Sequence, residues 1–293
     1  MSTAMILLVG EQPAPNLLPT RHLQPDAAVL VYTERTRGVA ENLKALLEPG
    51  CHCWLCQVHP YRIHEIQQEL DAFLTTTVAD YAMVFNLTGG TKPMALGAFR
   101  VARMLNSPFV YFQTEGNRSL LYHYIFDGDE IILQAADELP VTISLNDYLR
   151  MYLGTYTCEE PRTDFEQQVV DELRSTSGIA EVITSLRPQG LEALEVDFIV
   201  RCGNQVGIGE VKTKGAKRGI DQLNAVAEQR YLGTYVRKFL VSGKLVDRNN
   251  KNLAQAYRIE VIELLSYGES GVLNADDRQR LAGTVCRQLG GQP

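Results

Sequence analysis

Residues 195–214, EVDFIVRCGNQVGIGEVKTK, read as two strands folded back on each other at Gly203-Asn204, a dipeptide suited to a tight hairpin turn. A two-residue turn there fixes the register, because facing residue numbers must then add to 407. Asp197 comes to lie opposite Glu210, and Glu195 opposite Lys212. Strand alternation puts these four on one face and Val196, Phe198 and Val211 on the other. Two carboxylates facing each other at roughly 5 Å destabilise a sheet unless positive charge lies between them. A divalent cation meets that need, since hard cations take carboxylate oxygens, and Lys212 stands one strand step beyond Glu210. The pattern suits a metal-dependent phosphodiesterase. It also suits an exposed hairpin with a solvated charged face.

Working outward, 293 residues are enough for two domains with separate cores. A hydrophobic content of 45% and a charged content of 22% are ordinary for a globular protein. The opening MSTAMILLVG has no basic region before a short apolar run, so it reads as a first strand rather than a signal peptide or membrane span. The expectation is a cytoplasmic protein with no membrane partner and reduced thiols at its six cysteines. A net charge of −7 counts against a broad basic face for duplex DNA. Lys212, Lys214, Lys217 and Arg218 could still gather phosphates locally, or simply form a solvated loop.

Residues 5 to about 135 alternate strand and helix. Apolar runs at 5–9, 27–32, 81–87 and 108–112, with 53–58 weaker, are separated by helical patterns at 36–47, 64–75 and 91–105. This predicts a mostly parallel sheet with helices on both faces, closed by a hairpin of 120–126 and 130–133 around Asp127-Gly128-Asp129. Ligands in such sheets bind beyond the carboxyl ends of strands. Two loops there attract notice, the Pro-rich GEQPAPNLLP at 10–19 and NLTGGTK at 86–92. In the second, Gly89-Gly90 permits close backbone approach, and Thr91 can cap a helix whose first amides favour anions. An ordinary strand-to-helix turn is the plainer reading. The GxxxxGK[ST] and GxGxxG spacings are absent.

Asn86-Leu-Thr-Gly-Gly-Thr-Lys92, followed by Pro93-Met94-Ala95, resembles the ligand-binding motif of CARF domains, Rossmann-like sensors of cyclic oligoadenylate in type III CRISPR defence. The loop from Gly10-Glu11-Gln12-Pro13 to Asn16 resembles that family's other ligand-contacting loop. The resemblance covers about the first 135 residues. It implies that Gly10, Glu11, Gln12, Asn86, Thr88, Gly89, Gly90, Thr91 and Lys92 contact the activator. It also implies a homodimer whose axis matches the two-fold of cyclic tetra-adenylate.

Residues 136–160 read as a connecting helix (146–153) and linker, and 161–293 as a second domain. A helix opens at Thr163, with Glu166 serving either as a capping-box partner or as a third carboxylate near the hairpin. A strand at 180–186, the hairpin, a helix at about 219–235, a strand at 238–242, a short helix at 252–257 and a strand at 259–264 follow. A polar helix at 275–289 in the tail after Gly268 has no evident role. Helix, three strands, helix, strand is the core order of the PD-(D/E)xK nuclease fold. Glu195-Val196-Asp197 with Glu210-Val211-Lys212 resembles its signature, although no Pro precedes Asp197. Gln222 resembles a polar position often found beside that active site. A solvated helix residue is the bland reading.

The two resemblances together point to the CARF-fused PD-(D/E)xK nucleases of type III CRISPR systems. They imply catalysis by Asp197, Glu210 and Lys212 with Glu166. Mg²⁺ or Mn²⁺ would sit on Asp197, Glu210 and the Val211 backbone carbonyl, and the substrate would be single-stranded DNA or RNA or supercoiled DNA. The alternative is an oligoadenylate sensor whose second domain binds nucleic acid or a partner without cutting. A ligand-independent repair or restriction nuclease is a third. Cys51, His52, Cys53, Cys56 and His59 fit no common zinc spacing, and no GxSxG or HExxH motif is present.

Overall fold

The computed structural model describes residues 2–116, 118–189, 195–226, 232–233 and 236–291. The chain divides into two units, Met1–Thr142 and Ile143–Pro293. Among the described residues no helix is long and apolar enough to cross a membrane.

In the first unit the elements are β1 (Thr3–Leu8), α1 (Ala14–Leu23), β2 (Ala27–Tyr32), α2 (Arg37–Leu47), β3 (His52–Gln57), α3 (Ile63–Thr77), β4 (Ala82–Asn86), α4 (Lys92–Met104), β5 (Phe109–Glu115), β6 (Arg118–Asp127) and β7 (Glu130–Glu138). They build one sheet in the order β3-β2-β1-β4-β5-β6-β7. The first five strands are parallel and the last two antiparallel. The apolar runs become strands because both faces are covered. All six residues of β2 are buried, and Ile6, Leu8, Val29, Ile66, Leu70, Phe85 and Val101 share one core. Strand order reverses between β1 and β4, so the crevice that this topology offers a ligand opens where the two unusual loops leave the sheet.

Residues 14–23 of the Pro-rich stretch are helical rather than loop. Pro13 and Pro15 sit at the helix start, where a missing N–H costs nothing, and Pro19 lies inside it. Strand β7 runs five residues beyond Leu133. Its side chains are almost all exposed, so it lacks the apolar alternation that marks a strand. Cross-strand pairs hold it instead, Arg118 to Glu138 at 2.8 Å and His123 to Asp137 at 2.9 Å.

The second unit holds α5 (Leu145–Leu153), β8 (Tyr156–Cys158), α6 (Asp164–Ser175), β9 (Glu181–Pro188), β10 (Val196–Cys202), β11 (Gln205–Lys212), α7 (Ala216–Val226), β12 (Arg237–Ser242), α8 (Arg248–Ala256), β13 (Ile259–Glu263), α9 (Leu265–Ser270) and α10 (Ala275–Leu289). The sheet order is β13-β12-β11-β10-β9-β8. The segment expected to connect two domains over 136–160 is divided between them. Its first residues finish β7, and α5 and β8 belong to the second unit, where β8 pairs with β9. The expected helix to residue 235 is seen to Val226; residues 232–233 are not helical, and 227–231 and 234–235 lie outside the described residues.

Phe165, Val169, Val170 and Leu173 of α6 and Leu281, Val285 and Leu289 of α10 share a core with Phe198, Val200 and Val211. The polar tail helix therefore covers one face of the sheet. Gly209 faces Phe198 across the hairpin, and a methyl group there would overlap the Phe198 ring. Gly209→Ala should cost about 1–3 kcal/mol by overpacking. That lowers the thermal midpoint by about 2–4 °C per kcal/mol. An unchanged midpoint would show that the ring can move aside.

Candidate functional site

The hairpin turn forms at Gly203-Asn204, with Gly203 at φ +56°, and the pairs Cys202–Gln205 through Phe198–Gly209 follow the expected register. The β10–β11 ladder is recorded no further than that. On its other edge β11 pairs with β12 from Gly207 to Lys212, Glu210 facing Leu240. On the other side of β10, Phe198 pairs with Thr184 and Val196 with Leu186, and Ser185 between them takes a left-handed φ of +44°. The ladders on both sides of β10 are thus irregular at Asp197. Its carboxylate takes the place of a strand carbonyl and accepts the Val211 N–H at 2.7 Å.

Three side chains converge at this opening. Lys212 Nζ lies 3.2 Å from Asp197 Oδ2 and 2.6 Å from Glu210 Oε2. Glu210 is almost wholly buried, and burial, with the Asp197 charge second, pushes its carboxyl up to about 8. Burial pulls the Lys212 ammonium down. The two carboxylates more than offset this, so its pKa lies above the usual lysine value. Although Lys212 is close, Glu210 Oε2 has no aligned hydrogen-bond donor. A buried carboxylate oxygen without a donor, beside a second carboxylate, is the donor set a hard divalent cation fits. Among the described residues no group of three or more His, Cys, Asp or Glu side chains is placed to hold a metal.

Helix α7 reaches this face because residue 219 is glycine. A Cβ there would stand 2.7 Å from Leu240 Cδ1 and 3.3 Å from Lys212 Cγ. The sequence reading passed over Gly219, although a glycine inside a helical pattern is a usable signal of close packing.

Two expectations need correction. Glu195 does not face Lys212, because the strands part before that point; it pairs with Arg162 at 2.6 Å and Arg187 at 3.5 Å. Glu166 does not join the other carboxylates as a third catalytic group. Its carboxylate accepts the Arg162 N–H at 2.8 Å, and Thr163 Oγ1 accepts the Glu166 N–H at 3.2 Å, which is helix capping. Its helix also packs on the Phe198–Val211 face, away from α7.

In the first unit, the β1 and β4 loops interlock. A methyl group at Gly89 would overlap the Leu8 carbonyl oxygen, and one at Gly10 would stand 3.0 Å from Gly90 N. Gly90 has φ +70°, which glycine adopts without strain. Thr91 caps α4 by accepting the Met94 N–H at 3.2 Å, and donates to the Pro60 carbonyl at 2.7 Å. Lys92 is exposed at the first position of α4, where the helix dipole favours an anion. Glu11 is ion-paired with Arg35, and Gln12 is half-buried.

Asn86 and Thr88 are turned inward. Asn86 is fully buried, and its Nδ2 donates to the Pro15 carbonyl at 2.8 Å, the group that Pro19 cannot serve because it lacks an N–H. Its Oδ1 accepts from Thr88 N and Thr88 Oγ1 at 3.1 and 2.7 Å, and Thr88 Oγ1 accepts the Phe112 N–H at 2.7 Å. Both residues expected to touch a ligand also hold the loop in shape. Asn16, also fully buried and donating to the Leu8 carbonyl at 2.9 Å, completes this scaffold, a role the sequence reading did not assign.

Residues 4–148 match a family model described as the Card1 CARF domain. Over 98% of its length the chain is similar in structure to Can2 from Sulfobacillus thermosulfidooxidans, solved in complex with cyclic tetra-adenylate. That likeness has a TM-score of 0.74 at 16% identity and covers 99% of the Can2 chain. VC1899 from Vibrio cholerae gives 0.75 at 12% identity, covering 98% of both chains. A type III CRISPR defence DNA nuclease activated by cyclic oligoadenylate gives 0.54 at 17% identity, covering 83% of this chain and 45% of the other. At these identities the likeness extends to the fold. No curated protein matches the sequence.

Proposed function

We propose that this chain, which carries a CARF domain in its first half, is a cyclic tetra-adenylate-activated, metal-dependent nuclease of type III CRISPR antiviral defence. It acts as a homodimer, and its second domain is of the PD-(D/E)xK kind. Its substrate is single-stranded DNA or RNA, or supercoiled DNA that it nicks. The observation that carries the reading is the convergence of Asp197, Glu210 and Lys212 where β10 and β11 part.

Asp197, Glu210 and the Val211 carbonyl would hold Mg²⁺ or Mn²⁺, which when bound supplies an acidified water and positive charge at the scissile phosphate. Asp197 is oriented by the Val211 N–H before any ligand arrives. Lys212 holds the carboxylate pair together and donates to the attacking water or to a phosphate oxygen as negative charge builds there. Gly89, Gly90, Thr91 and Lys92, with Gly10, Glu11 and Gln12, would form the activator surface. The helix start supplies backbone amides and Lys92 a charge. Activation is a coupling between this surface and the carboxylate site.

One observation favours a second reading, in which the chain senses oligoadenylate and its second domain binds nucleic acid or a partner without cutting. Lys212 already places a positive charge against both carboxylates. Single-stranded DNA, single-stranded RNA and supercoiled plasmid incubated with Mn²⁺, with and without cyclic tetra-adenylate, separate the two. Cleavage should appear only with the activator and vanish with EDTA. Equal cleavage in both arms would remove the switch, and tight activator binding without cleavage would establish the sensor.

A further inference from the structure

Beside the carboxylate pair, α7 and the entry to β10 enclose an open groove of about 630 Å³. Its walls include Glu195, Gly215, Lys217, Arg218, Asp221 and Gln222. Lys217 and Arg218 are exposed in the first turn of α7. The same helix contacts Lys212 at Gly219, one residue after Arg218. Glu195, on the facing wall, is two residues before Asp197. The groove therefore begins next to the three converging side chains.

Charge and polarity at the groove point to what it holds. The Glu195 carboxylate is already neutralised by Arg162 and Arg187, which also meet Glu159. The wall itself carries Lys217 and Arg218 against Glu195 and Asp221, and the Glu195 charge is taken up outside the groove by Arg162 and Arg187. Gln222 contributes a side-chain carbonyl oxygen that is buried and has no hydrogen-bond partner among the described residues. The Gln222 oxygen is an acceptor, so a donor on a strand, a base N–H or a 2′-hydroxyl, would satisfy it, and the phosphates would fall to Lys217 and Arg218. A duplex needs a broad basic face, whereas this groove offers a narrow local one.

We propose that this groove holds the backbone of a single nucleic-acid strand next to the bond being cut, with Lys217 and Arg218 each taking one phosphate. The inference rests on the nuclease reading above and adds the strand's path to it. These two residues position substrate without taking part in bond cleavage, so their loss raises KM more than it lowers kcat.

The test uses the full chain with cyclic tetra-adenylate and a fluorescent 20-nucleotide single strand, in a Lys212→Met background that stops cleavage. Anisotropy titrations at several salt concentrations give the slope of log K against log salt. Each phosphate contact on a single strand contributes about 0.7 to that slope. Adding Lys217→Gln and Arg218→Gln together should flatten it by about 1.4 and weaken binding alike for unrelated sequences. With Lys212 intact, the same pair of changes should raise KM for cleavage with kcat little altered. An unchanged slope in a chain that cleaves would overturn the groove and leave the nuclease. A wild-type chain that neither binds nor cuts a strand would overturn both.

Discussion

Glu210→Gln is expected to abolish cleavage and at the same time make the metal-free protein more resistant to heat. Both effects follow from one placement. The Glu210 side chain is 1% exposed, faces the Asp197 charge, and leaves one oxygen without an aligned donor. Such a carboxylate is unfavourable in the folded protein unless something binds it, and sites kept for function commonly cost stability. The amide keeps the shape, removes the repulsion with Asp197 and leaves Lys212 its contact with Asp197 at 3.2 Å. Activity should fall by at least about 10²–10³-fold, the scale for losing one preorganised electrostatic group.

The gain in stability has a pH signature. With the carboxyl raised from 4.5 to about 8, both folded and unfolded chains hold the proton below pH 4.5, and the penalty is absent. Between those values the unfolded chain releases its proton first, so wild-type stability falls as pH rises and levels off above 8. The Gln variant has no such proton. The difference in melting temperature should therefore be near zero at low pH and grow through neutrality, reaching the equivalent of about 4 kcal/mol by pH 8. Thermal unfolding in EDTA across this range measures it. A gap independent of pH would mean that the Glu210 charge is not the source.

How much of this was legible beforehand depended on whether local chemistry or tertiary partners decided the outcome. The β10–β11 register was legible because a two-residue turn at Gly203-Asn204 leaves one pairing, which holds as far as Phe198–Gly209. The parting of the strands after that point was not. It depends on a left-handed Ser185 in a neighbouring strand and on a side chain, Asp197, replacing a backbone acceptor. Glu195 left its expected partner for the same reason. Helix α1 was hidden by three prolines, two tolerated at the helix start and one inside it whose orphaned carbonyl Asn86 serves, and the outer half of β7 by exposure on both faces. Asn86 is named as a ligand contact because Asn86–Lys92 resembles the CARF ligand-binding motif. That its amide is spent on Pro15, Asn16 and Thr88 could not be read without knowing where α1 packs.

Gly89→Ala is the complementary change, and it should weaken activation while leaving the cutting machinery intact. The Cβ alone is enough, because it would overlap the Leu8 carbonyl oxygen, backbone that cannot swing aside as a side chain would. Leu8 ends β1 in the middle of the sheet, and its carbonyl is also held by Asn16. The loop must therefore give way rather than the strand. Displacing it costs about 1–3 kcal/mol. If that strain is relieved only in the ligand-free loop, activator affinity falls by about 10–100-fold. Because the change lies in the first domain, cleavage at saturating cyclic tetra-adenylate should recover towards the wild-type rate, with only the half-activating concentration shifted. Lys92→Ala separates binding from strain. That side chain is exposed, so its removal should weaken activation without lowering the melting temperature, as loss of a phosphate contact would. If Gly89→Ala responded to cyclic tetra-adenylate at wild-type concentrations, the crevice between β1 and β4 would not be where the activator binds. Joint failure with Lys92→Ala at saturation would instead mean that this loop transmits the signal rather than receives it.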